Sequence, residues 1–137
     1  MSSNRAAPSF LVLAGRILLS LIFLGTLFTH FSPQTIAFAA QQGVPMAGLL
    51  VRASGLLAGV GALSVILGYR ARIGAWCLVA FLIAVTPVLH RFWGLTDPMM
   101  VQLQMAHFLK NVSMLGGALL VAYWGAGPMS FDARRTI

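Results

Sequence analysis

Hydrophobic and polar positions alternate along this chain in long blocks, not at short strand-like intervals. Four apolar runs stand out: Phe10–Phe31, broken once by Arg16; Pro45–Gly68, broken once by Arg52; Ile73–His90, uncharged up to its final histidine; and a fourth from about Pro98 to Trp124 that carries His107, Lys110 and Asn111. About 20 helical residues cross a hydrocarbon core ~30 Å thick. Three runs exceed that length and the third just suffices, which predicts an all-α bundle of four transmembrane helices. Helix-end chemistry agrees. Pro45 suits a first turn, Asp97-Pro98 reads as an N-cap followed by an N1 proline, and Gly125-Ala126-Gly127-Pro128 stops the last helix before a short tail.

A cleaved leader is the rival reading of the first run, with Ala37-Phe38-Ala39 as the cleavage site, but the stretch from Phe28 to Ala39 is long for that purpose. Composition reinforces the membrane reading. Of 137 residues, 59% are hydrophobic and 8% charged, and the mean hydropathy is +0.90. A water-soluble surface needs roughly a quarter charged residues, so lipid must cover much of this one. The chain has the length of one domain. Its net charge of +7 does not make it a nucleic-acid binder, because the basic residues are scattered and several interrupt apolar runs. Cys77 is the sole cysteine, so no internal disulfide or dithiol pair exists.

The arginines also predict orientation. Arg5, Arg70, Arg72, Arg134 and Arg135 fall on one side of the bilayer, whereas Arg91, with Asp97 beside it, falls on the other. Positive loops stay inside, so both termini and the 69–72 turn are expected in the cytoplasm. The connections near 32–44 and 91–97 then lie outside.

Ionisable groups within spans cost energy and mark partners, wet cavities or sites. On a helical wheel at 100° per residue, Met100, Gln104, His107, Lys110, Asn111 and Met114 share a stripe about 120° wide, expected to face the bundle. Arg16 and His30 share a face near opposite ends of the first span. Arg52 falls on the side of Gly55-x-x-x-Gly59, a small-residue pattern for close helix approach, and is expected to point inward. By depth, the outer half gathers His30, Arg52, His90, Gln104, His107, Lys110 and Asn111, a polar chamber with surplus positive charge. Such a chamber fits an anion or the carbonyl oxygens of a quinone. Arg16 is expected to pair with Asp132, the acid on its side.

The bland alternatives are Arg16 and Arg52 snorkelling to lipid phosphates, His30 and His90 anchoring at the interface, and Lys110 with His107 serving a closed polar network. A haem needs two histidines at matching depth on facing helices, for which His30 with His107 is the one candidate couple. Cu(I) among His30, His90, Met99, Met100 and Met105 would fit the ligand types, but no tight MxxM or HxH spacing supports it. No metal is expected. Paired carboxylates, nucleophile–base pairs and nucleotide loops are also missing from the sequence.

The C-terminal third carries a resemblance. His90-Arg91-Phe92-Trp93, Phe108-Leu109-Lys110-Asn111, and Gly125-x-Gly127-x-x-Ser130-x-Asp132 resemble the ending of DoxX-type proteins. Upstream, Gly15-Arg16, Gly43-Val44-Pro45 and Gly68-Tyr69-Arg70-Ala71-Arg72 are similar to other DoxX positions. Two positions depart from that pattern: Ala58-Gly59 stands where a glutamate is common, and His30 where a lysine is. The resemblance implies a four-helix protein of the bacterial inner membrane, a subunit or accessory of a quinone-linked or oxidative-stress redox system, with other membrane or redox subunits or further copies of itself as partners. A purely structural subunit and a small anion transporter are the competing expectations.

Overall fold

The computed structural model describes residues 6–134, with the side chains of residues 6–8 outside the description. Arg5 and Arg135, which entered the orientation argument, lie outside the described residues. The element order is α1 (Ala6–Thr29), α2 (Pro33–Gln41), α3 (Ala47–Leu67), α4 (Ala71–Leu89), α5 (Pro98–Trp124) and α6 (Phe131–Arg134). Among the described residues the fold is all-helical. Four helices, α1, α3, α4 and α5, are long and apolar enough to cross a membrane.

The boundaries follow local chemistry, with two surprises. Asp97 caps α5 through Oδ1, which accepts from Met99 N at 2.9 Å, and Pro98 begins the helix. Pro45 lies outside α3, which starts two residues later behind the left-handed Met46. The connection expected at 32–44 is largely the helix α2. Ser32 caps it by accepting from Thr35 N, and Pro33 fills its first position. The nine residues of α2 are too few and too polar to read as a span, so they registered only as a loop.

Packing runs α1 on α3, α3 on α4, and α4 on α5, while α1 and α5 scarcely touch. The core is built of small residues with a few large ones: Ala58, Ala62, Ala75, Ala118 and Ala122 around Phe23, Val65, Leu78 and Leu82. Helices in lipid gain little from burying apolar surface against each other, so close backbone approach and dispersion must hold them. The α1–α3 seam shows the device. Gly55 receives the His30 ring and Gly59 receives Leu27, and a Cβ at Gly55 would come within 2.6 Å of His30 Cβ.

The end of the bundle near the C-terminus is tied together by side chain-to-backbone bonds. Gly68, at φ 65°, closes α3 and presents its carbonyl to Asp132 N at 2.7 Å. Asp132 then caps α4, its two oxygens accepting from Arg70 N (2.8 Å) and Ala71 N (2.9 Å). Ser130 Oγ bridges Gly127 O and Ala133 N. From across the bundle, buried Arg16 donates from Nη2 to Met129 O at 2.6 Å.

A candidate cleft between α1 and α5

Because α1 and α5 do not close on one another, a cavity of about 260 Å³ opens between them in the half of the bundle nearer α2. Phe81, Leu82, Val85 and Leu89 of α4 line it. Ile22, Phe23, Thr26, Thr29 and His30 come from α1, Thr35 and Phe38 from α2, and Lys110, Asn111 and Met114 from α5. The apolar side of the cleft is thus aromatic and aliphatic, and its polar side is hydroxyl, amide, imidazole and ammonium.

Each polar group is already held in place. Asn111, buried at 6% exposure, donates from Nδ2 to Thr86 Oγ1 on α4 at 3.0 Å. His30 Nδ1 donates to Thr26 O at 2.9 Å, and its ring sits edge-on to Phe81 with centroids 5.7 Å apart. His90, at the end of α4, donates from Nδ1 to Gln104 Oε1 at 3.1 Å and lies 5.3 Å, centroid to centroid, from the His107 ring. Lys110 Nζ donates to His107 Nδ1 at 3.3 Å. After these bonds the Lys110 ammonium keeps two N–H donors and the Asn111 amide keeps one.

The sequence-predicted residues therefore divide. His30, Lys110 and Asn111 line the cleft together with His90. Gln104 and His107 stand behind it: Gln104 holds His90, and His107 holds Lys110. Gln104 also lines a neighbouring cavity of about 440 Å³ with Phe38, Arg91, Trp93 and Met100. Arg52 is not part of the group. It is exposed, because the buried stripe of α3 runs through Val51, Gly55, Ala58 and Ala62, and position 52 falls one step off that stripe. The inward orientation expected for Arg52 is corrected. The α5 stripe also differs: Asn111 is buried, Gln104, His107 and Met114 are half-buried, but Lys110 and Met100 are exposed. Lys110 faces an unfilled gap, not a closed bundle.

Arg16 and Asp132 are electrostatic neighbours, but the bonds seen are to backbone. Arg16 reaches Met129 O, and Asp132 reaches the α4 amides. Arg16 Nε and Nη1, and Ser20 Oγ one turn away, are buried without a hydrogen-bond partner. Sequence reasoning missed Thr26, Thr29, Thr35 and Phe38. Thr35 and Phe38 could be found only by recognising the Ser32-Pro33 helix start, and the α1 threonines only by placing them on the His30 side of the wheel.

Four helices long and apolar enough to span mark the chain as a multi-pass α-helical membrane protein. Within that class the chain belongs to the SURF4 family, whose model matches residues 1–137. It is 30% identical over 131 residues to "Inner membrane protein YphA" of Escherichia coli (strain K12), covering 94% of this chain and 93% of that one. It is 27% identical over 136 residues to "ER-derived vesicles protein ERV29" of Saccharomyces cerevisiae, covering 99% of this chain but 37% of the yeast protein. No solved structure is a significant match. The spans and the inner-membrane relative agree with the expected multi-pass inner-membrane location.

The family match corrects the DoxX resemblance, and with it the redox-subunit reading that rested on it. The structure explains why those motifs misled. Gly68, Ser130 and Asp132 tie a tail beneath a helix turn, and Asn111 bonds a neighbouring helix. In this chain those residues therefore have structural jobs at a helix turn and between two helices.

Proposed function

We propose that this protein is a receptor-like, non-catalytic membrane protein whose α1–α5 cleft holds an apolar segment of a partner polypeptide. The observation that carries the reading is the cleft itself, which lies between two helices that scarcely touch. Its volume of about 260 Å³ has room for a few side chains against Phe23, Phe81 and Leu82. A peptide backbone entering a water-poor cleft brings carbonyl oxygens that need donors, and Lys110 and Asn111 have donors to spare. Each polar group of the cleft is braced in position by a hydrogen bond, which fits recognition. The yeast relative's name places it in ER-derived vesicles. That setting is compatible with a carrying role.

In the same reading, the tail end lies in the cytoplasm and the α2 end on the opposite side. Arg70, Arg72 and Arg134 sit at the tail end, against Arg91 at the other. Single cysteines at positions 38 and 134 in a Cys77→Ser background test this. Labelling by an impermeant reagent from outside should reach 38 and spare 134, and the reverse pattern sinks the orientation.

Binding of fluorescent apolar hexapeptides to the detergent-purified protein tests the function. Lys110→Met should weaken binding by about tenfold, as expected for a lost charge-assisted hydrogen bond, with the melting temperature little changed. Met114→Trp should block the cleft. If no peptide saturates, or if both variants bind as the wild type does, the receptor reading is wrong.

A further inference from the structure

A second cavity lies at the opposite, tied end, and its chemistry differs from that of the cleft. It measures about 500 Å³ and is lined by Arg70, Arg72, Ile73, Trp124, Asp132 and the 125–127 turn. Two guanidinium groups share it with one carboxylate, and that carboxylate already accepts from the Arg70 and Ala71 amides. The cavity is therefore net positive. Its depth in the membrane is marked by its neighbours. Trp124 is 73% exposed, and Tyr123, Trp76 and Tyr69 are also exposed at the same end of the helices, the aromatic belt that sits at lipid headgroup level. Its apolar rim is exposed too, since Ile73 stands out from the first turn of α4.

We infer that this cavity binds the headgroup of an anionic phospholipid, its phosphate between Arg70 and Arg72 and its acyl chains running over Ile73 and Trp124. Charge complementarity selects the anion, and the adjoining apolar rim selects a lipid over a free anion. Arginine suits the task because its planar fork meets phosphate oxygens two at a time. The site is independent of the α1–α5 cleft, and neither test depends on the other.

Trp124 serves as the reporter. In a Trp76→Phe, Trp93→Phe background reconstituted in vesicles, brominated phosphatidylglycerol should quench Trp124 more strongly than brominated phosphatidylcholine at equal mole fraction. The preference should fall about fivefold for each arginine removed, so Arg70→Gln with Arg72→Gln should abolish it. Arg52→Gln, at the far end, should leave it intact. Equal quenching by the two lipids in the wild-type arginine background overturns the proposal by itself, whether or not the arginine variants fold. A preference that survives loss of both arginines also overturns it. So does its abolition by millimolar inorganic phosphate, which would mark a soluble-anion site.

Discussion

The two ends of the bundle solve the problem of polar groups in a membrane in opposite ways. At the tail end, several side chains bond the backbone: Asp132 two amides, Ser130 two backbone groups, Arg16 a carbonyl. Side chains and backbone interlock so closely that Gly68 has no room for a Cβ, which would collide with Ser130 and Arg16. At the α2 end, Asn111, His30, His90 and Lys110 are each fixed by one bond and still face an open space. The contrast teaches that the tail end is joined through side chain-to-backbone bonds, whereas at the α2 end the polar side chains line a gap between α1 and α5.

The largest effect should come from breaking the tie at the tail end. Gly68→Val puts a β-branched residue at φ 65°, a backbone region that costs of order 1–3 kcal/mol for such residues, and drives its side chain into Ser130 and Arg16. A loss of roughly 4 kcal/mol is expected, read as failure to purify as a monodisperse species or as a steep fall in melting temperature. A wild-type-like melt would show that the tail is not a structural tie.

A smaller effect should follow from Asn111→Leu, which removes the one polar bridge from α5 to Thr86. Interhelical hydrogen bonds in membranes contribute about 0.6 kcal/mol on average, and Thr86 can turn to its own helix's carbonyls. Stability should therefore drop by about 1 kcal/mol or less, while binding in the cleft falls more, because a donor facing it is gone. A large stability loss with intact binding would reverse the comparison and make the α2 end a structural tie as well.

Parts of this architecture are legible in the sequence. The four spans follow from run length, and Asp97-Pro98 marks the start of α5 where the structure has it. His30, Lys110 and Asn111 were placed together by depth and wheel position alone, and they meet at one cleft. What could not be read is which helices leave a gap. A wheel gives the angle of Lys110 on α5 but not the absence of α1 beside it, and that absence is a tertiary fact. The tail end was half legible. Asp132, the acid on Arg16's side of the membrane, is its electrostatic neighbour, and the carboxylate also accepts from the backbone amides at the start of α4.

The smallest effect is expected at Arg52, and it sharpens the comparison because Arg52 belongs to neither end's design. It lies off the buried stripe of α3 and is exposed, and it lines neither cavity that holds the polar residues of the α2 end. Its long aliphatic stem can lie along the helix while the guanidinium reaches the headgroup region. Arg52→Leu removes a charge from a lipid-facing position without opening a cavity or stranding a partner, so stability should change by no more than about 0.5 kcal/mol. Peptide binding in the α1–α5 cleft should be unchanged. The thermal melt and the hexapeptide titration used for Lys110→Met, run side by side on Arg52→Leu, check both expectations. If Arg52→Leu weakened binding as much as Lys110→Met, the cleft would have to extend across α3, beyond the α1, α2, α4 and α5 residues that line it.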